Sequence, residues 1–159
     1  MDIQKFEELE QELGTTLTIG MLDWYAISSS RHSLKEDFIR KYKGYVDWYA
    51  ISKFQILSED FIREFQHDVN WKSICEYQKL SEDFIREFKD KLDWDCISTN
   101  QELSEDFIRE FKDKVQWINI SCHQKLSEKF ISEFKDKIWL EYLKINKNIP
   151  IDIRKKFSN

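Results

Sequence analysis

Apolar residues recur along this chain in two alternating phases. In residues 57–69, LSEDFIREFQHDV, the apolar positions are Leu57, Phe61, Ile62, Phe65 and Val69. At roughly 100° per residue, Phe61, Ile62, Phe65 and Val69 fall on one side of a helix and Glu59, Asp60, Arg63 and Glu64 on the other. Ser58 stands where an N-cap belongs, and the acids that follow suit the positive end of the helix dipole. Glu59 and Arg63 form an i,i+4 pair in the favourable order. A second, shorter helix follows each such segment. With Trp48 at 0° on the wheel, Ile51 lies at about 300°, Ser52 at about 40° and Gln55 at about 340°, so the four share a face. Asp47, Asn70 and Asp93 are suitable N-caps for this second helix, and Gln116 in the same column is a weaker one.

The two phases form one repeating unit. Leu34, Leu57, Leu80, Leu103 and Leu126 are spaced by 23 residues, as are Trp48, Trp71, Trp94 and Trp117. Trp24 precedes Trp48 by 24, with the extra residue in the loop at 28–33. The nine letters LSEDFIREF occur at 57–65, 80–88 and 103–111. In the second helix the Trp, Ile and Gln columns are constant, and the Ser column changes only to Cys75. Trp and Ile fill volume, Ser or Cys permits close helix approach, and the half-buried Gln amide needs backbone partners at the turn between units. Two short helices cannot bury their stripes alone, but stacked neighbours can. The predicted fold is all-α: an α/α solenoid of 23-residue two-helix repeats with N- and C-terminal caps. A leucine-rich βα unit lacks its Leu-x-Leu strand and Asn here, and Asp-Trp interrupts any heptad run.

The chain divides into a cap and divergent first unit (1–33), five helix-pair repeats (34–148) and a C-terminal capping helix (149–159), within one domain. Residues 2–13 are predicted to be helical, with Ile3, Phe6, Leu9 and Leu13 inward and Gly14 as the stop. Near the other end Leu140 takes the Trp column and Leu143 the Ile column. Lys144 stands for Ser and Lys147 for Gln, which puts charge where another repeat would pack. Pro150 suits the first turn of a last helix.

Four columns vary between repeats, one, two, five and six positions after Trp. They hold Tyr49, Ala50, Lys53 and Phe54; Lys72, Ser73, Glu76 and Tyr77; Asp95, Cys96, Thr99 and Asn100; and Ile118, Asn119, Cys122 and His123. They fall opposite Trp, Ile and Gln on the wheel, whereas the charged outer face of the first helix is nearly constant. Variable side chains on a constant frame are how solenoids recognise partners. The candidate partner-binding residues are Tyr49, Lys53, Phe54, Lys72, Glu76, Tyr77, Asp95, Thr99, Asn100, Ile118, Cys122 and His123, with Phe54, Tyr77 and Ile118 as apolar anchors. Exposed columns free to drift after duplication would give the same pattern.

Composition narrows the chemistry. A formal net charge of -5 speaks against nucleic acid, whose phosphates want Lys and Arg. Three cysteines at different repeat positions make no disulfide framework, and reduced thiols are expected. His32, His67 and His123 share no ligand-like spacing. Serines serve as caps or packing, the Glu-Asp pairs as helix-start electrostatics, and three glycines build no phosphate loop. No enzyme, metal, cofactor or small-molecule substrate is expected. There is no apolar signal core and no run long enough for a membrane span, so an intracellular rather than secreted protein is expected. Residues 1–13 sum to -4 and residues 144–159 to +4, which allows head-to-tail self-association.

LSEDFIREFKDKLDW (80–94) and the pattern Ile97-Ser98-x-x-Gln101 resemble a short tandem repeat encoded in many copies by giant DNA viruses of amoebae, the marseillevirus and mimivirus groups. The resemblance covers roughly residues 34–148. It implies a viral protein in host cytoplasm or virion and carries over no catalytic residue; the partner expected for the variable face is then a host or viral protein. Three functions compete: a protein-binding scaffold, a self-assembling or virion component, and a nucleic-acid reader. With Trp71 as a core residue, Trp71→Ala would lower stability by about 3–5 kcal/mol in a denaturation measurement, and an unchanged melting temperature would contradict this packing.

Overall fold

The frame is built by units that leave one end of each apolar stripe for the neighbour to cover. The computed structural model describes residues 3–14, 23–30 and 33–157, with the side chains of 3–6 and 13 left aside. Thirteen helices and no strands occur among the described residues. After α1 (Ile3–Leu13), helices of the second kind are α2 (Trp24–Ser28), α4 (Trp48–Phe54), α6 (Trp71–Tyr77), α8 (Trp94–Asn100), α10 (Trp117–His123) and α12 (Leu140–Ile145). Those of the first kind are α3 (Glu36–Lys41), α5 (Glu59–Glu64), α7 (Glu82–Glu87), α9 (Glu105–Glu110), α11 (Glu128–Glu133) and α13 (Ile151–Lys156). The pairs stack neighbour on neighbour, as an α-solenoid does. None of the described helices is long and apolar enough to cross a membrane.

Six-residue helices are marginal alone, so each is held by side chains at its ends. Ser58, Ser81, Ser104 and Ser127 accept the N–H of Phe61, Phe84, Phe107 and Phe130 at 3.1–3.2 Å. Asp47 and Asn70 cap second helices in the same way, while Gln116 makes no side-chain cap. Gly14 ends α1 with φ +64, the left-handed conformation a glycine adopts without strain. Leu9 is buried as expected, and the expectations for Ile3, Phe6 and Leu13 lie outside the described side chains.

The fully buried aromatic column is Phe61, Phe84, Phe107 and Phe130, with Ile62, Ile85, Ile108 and Ile131 beside it. The tryptophans of the central repeats, Trp48, Trp71, Trp94 and Trp117, are only half-buried against that core. Each indole N–H donates to the carbonyl five residues back, for example Trp71 to Gln66 at 3.0 Å. Each ring packs on a phenylalanine of the next repeat, Trp71 on Phe88 at 4.9 Å between centroids. Lys91, Lys114 and Lys137 cover the tryptophans of the repeats before them at 5.3–5.7 Å. Trp therefore seals the edge of the core and does not fill its centre. The loss expected for Trp71→Ala falls to about 2–3 kcal/mol, below the full range for a buried Trp.

Close backbone approach occurs between successive second helices, from α2 and α4 through to α10 and α12. A stack that is tighter on one side curves toward it. Small side chains allow this approach, and their polar atoms also bond. Ser52, Ser98 and Ser121 donate to the Trp carbonyl four residues back at 2.6–2.7 Å. The same hydroxyls accept the backbone N–H of Asn70, Gln116 and Trp139 in the following unit at 2.9–3.0 Å.

The glutamines join the turns, and they reach backward along the chain. Gln78 Nε2 donates to the carbonyls of Ser52 (2.9 Å) and Gln55 (2.7 Å), and its Oε1 accepts the Leu57 N–H at 3.1 Å. Gln101 repeats this with Cys75, Gln78 and Leu80, and Gln124 with Ser98, Gln101 and Leu103. At the last unit the expected register fails by one residue. The second helix is one residue shorter there, and Asn146, not Lys147, takes the glutamine's place, donating to Ser121 and Gln124 carbonyls at 2.8 Å. Lys147 is exposed.

The constant charges of the first helix also cross between units. Arg63 is 3.7 Å from Glu59, the expected pair, but its shorter bonds go to Asp60 (2.8 Å) and to Glu87 of the next repeat (2.7 Å). Its guanidinium lies 5.1 Å over the next repeat's Phe84 ring. Glu59 in turn accepts the N–H of Ser81 at 2.6 Å. The pattern recurs at Arg40, Arg86 and Arg109. Glu59 and its equivalents thus hold the next helix start, and Arg63 and its equivalents hold the next helix's last turn.

Gln101→Leu keeps much of the side-chain volume but leaves two carbonyls and one N–H buried without partners. Urea unfolding should show a loss of at least about 3 kcal/mol. A loss under about 1 kcal/mol would mean that the turns are joined by something else.

Candidate partner-binding face

Three of the four variable columns reach solvent. The column two after Trp is more covered: Ala50 and Ser73 are buried, and Cys96 and Asn119 are half-buried. That column faces the neighbouring second helix, and Asn119 Nδ2 donates to Asp95 Oδ1 of the preceding repeat at 2.7 Å. The wheel placed it on the outside because a wheel knows one helix, whereas a solenoid helix has neighbours on two sides.

The remaining columns line the outer surface of the tight side. Tyr49, Phe54, Lys72, Glu76, Tyr77, Asp95, Asn100 and His123 are exposed, while Lys53, Thr99, Ile118 and Cys122 are half-buried. Of the three expected anchors, Phe54 and Tyr77 are 45% and 47% accessible, and Ile118 is partly covered.

The face has two chemically different halves. In the N-terminal half Lys53 Nζ lies 5.6, 5.2 and 5.1 Å from the ring centroids of Tyr49, Phe54 and Tyr77. It is 3.4 Å from the Tyr49 hydroxyl. That hydroxyl is the main reason the Lys53 pKa is raised, which keeps the ammonium charged. One cation thus draws together three rings from two repeats. Tyr25 and Ile56 add exposed apolar surface, and Lys72 and Lys79 add charge. Tyr25 was missed from the sequence, although DWYAIS at 23–28 repeats at 47–52 and places it in the column of Tyr49.

The C-terminal half is polar and partly self-satisfied. Thr99 donates to the Asp95 carbonyl at 2.8 Å, and Asn100 Nδ2 to the Cys96 carbonyl at 3.1 Å. Thr99, Asn100 and His123 meet Glu102, Lys125 and Asn148 along an open groove of about 890 Å³. Among the described residues no group of three His, Cys, Asp or Glu side chains is placed to hold a metal ion. No protein-family model, no curated protein and no solved structure matches this chain.

A second exposed apolar surface lies at the end of the stack. Trp139 (53%), Leu140, Tyr142, Ile145 and Ile151 are all exposed there. Terminal charges that would attract another copy are partly engaged within the chain, with Glu8 and Glu12 on Lys41 and Lys156 on Glu128.

Because Phe54 and Tyr77 carry no core packing, Phe54→Ser and Tyr77→Ser should each change stability by no more than about 0.5 kcal/mol. A melting temperature lowered by many degrees would return these rings to the core and remove them from the face.

Proposed function

We propose that this chain is a non-enzymatic scaffold that binds a partner protein along the outer surface of its second helices. The partner segment carries acidic residues beside apolar ones. The supporting observation is the Lys53 cluster: three half-exposed rings about one ammonium, contributed by side chains that the frame does not need. The following second helix and turn add exposed Lys72 and Lys79 against Glu76, in a chain of net charge -5. Exposed aromatic rings around a partly desolvated cation are what protein interfaces use as energetic centres. A carboxylate reaching Lys53 would find that charge already held in place.

The resemblance of the repeat to those of giant amoebal viruses makes host cytoplasm the proposed setting and amoebal lysate the first source of partners. The native chain and a Tyr49→Ser, Phe54→Ser, Tyr77→Ser variant are each used to capture proteins, with folding of both checked by circular dichroism. The expected outcome is a protein held by the native chain and lost by the variant. An acidic synthetic peptide from that protein should bind the native chain, more weakly as salt rises. Equal capture by both proteins would overturn the proposal, as would displacement of the partner by single-stranded nucleic acid.

A second reading has its own observation, the exposed end formed by Trp139, Leu140 and Tyr142. In that reading copies of the chain assemble through this end, and light scattering would show mass rising with concentration in the native chain but not in Trp139→Ser.

A further inference from the structure

The Ser column is interrupted once, at Cys75, and the interruption falls beside a second thiol. Cys75 is fully buried in α6. Its Sγ lies 3.7 Å from the carbonyl oxygen of Asp93, at the first turn of α8. Asp93 Oδ1 in turn accepts the Cys96 N–H at 3.4 Å. Asp93 thus holds both cysteines, Cys75 by its backbone carbonyl and Cys96 by its side chain, and each thiol shifts the pKa of the other. Asn100 Nδ2 also points at Cys96 Sγ, at 3.4 Å. Two thiols from successive repeats therefore meet, one enclosed and one half-exposed. The sequence gives no hint of this, since 21 residues separate them and they occupy different columns.

We propose that Cys75 and Cys96 are a thiol oxidation site, closed by hydrogen peroxide into a reversible disulfide that staples α6 to α8. The two thiols have different roles. Cys96 is the half-exposed member, and the neighbouring Cys75 thiol and then Asn100 Nδ2, 3.4 Å from its sulfur, lower its pKa against the opposing effect of burial, so it is the thiolate that attacks. Cys75 is enclosed, and its pKa is pushed up by the Cys96 thiol first and by burial second, so it stays protonated until the sulfur beside it is oxidised.

The Cys96 thiolate displaces hydroxide from peroxide as the O–O bond breaks. A proton from solvent makes that hydroxide water and leaves Cys96 sulfenic acid. The Cys75 sulfur then attacks the Cys96 sulfur. The S–S bond forms, the S–OH bond breaks, and the Cys75 proton leaves with that hydroxyl as a second water. In sum two thiols lose two electrons, and one peroxide gains them. The bridge lies under the seam between the aromatic half of the face, ending at Tyr77, and the polar half, beginning at Asn100. It would fix those two repeats against each other and restrict the unfolded chain.

The test uses the full-length folded protein treated with a slight excess of hydrogen peroxide, then catalase. Titratable thiols, counted after denaturation, should fall from three to one, with Cys122 remaining. Non-reducing tryptic mapping should show peptide 73–79 joined to 92–109, in a chain of unchanged mass class. The urea midpoint should rise, and dithiothreitol should restore all three thiols. Cys75→Ser installs the hydroxyl that Ser28, Ser52, Ser98 and Ser121 already provide, so this variant should fold. In it Cys96 should accumulate as sulfenic acid, trapped by a cyclic 1,3-diketone. In Cys96→Ser, Cys75 should stay reduced under the same treatment. Three thiols surviving peroxide, a bridge to Cys122 or between chains, or a 75–96 bridge formed only in denaturant would each overturn the proposal.

Discussion

The glutamine at the end of each second helix is the interaction on which the stack depends. A turn between two short helices leaves a carbonyl-rich stretch of backbone that the next unit covers and dries. Every such group needs a partner, because an unmet buried polar group costs more than a met one contributes. A primary amide suits the task, with two donors and an acceptor on one rigid plane. Gln78, Gln101 and Gln124 each use all three on the turn of the unit before. Each glutamine's own carbonyl then accepts the next amide, so the joints form a continuous ladder. Asn146 ends it with a shorter side chain because its helix ends one residue sooner.

Other contacts follow from that spacing. Once the second helices are held close, the column four after Trp takes only Ser or Cys in the central repeats, and the serine hydroxyls tie each unit to the next N-cap. The first helices, farther apart, are bridged by longer groups: phenylalanine rings inside, and Arg–Glu pairs outside that reach across the gap. Surface ion pairs are individually weak. Here each arginine also lies on a ring of the next repeat, and a second glutamate, at the first turn of the same helix, holds the next helix start, so the charges set register more than they set stability. The frame absorbs nearly every constant column and one variable one, and leaves the other three variable columns facing outward.

The candidate face shows what a single helix can and cannot reveal. Tyr49, Phe54 and Tyr77 were legible as outward residues, because a second helix with Trp, Ile and Gln inward must turn them away. That they converge on Lys53 was not legible, since Tyr77 belongs to the following repeat and the distance depends on how the repeats are stacked. Ala50 and Ser73 were placed outward for the same reason in reverse. Their burial comes from the neighbouring helix, which no wheel contains.

The sequence by itself determined the unit, its two helices, their caps and the core stripe, because these follow from periodicity and local chemistry repeated with little variation. Tertiary structure alone decided which aromatic is central and which seals the edge, where the glutamines bond, and that Cys75 meets Cys96. Those outcomes depend on the rise and rotation from one unit to the next. That geometry is set by the packing of side chains 18 to 27 residues apart, and no local pattern of apolar and polar positions encodes it.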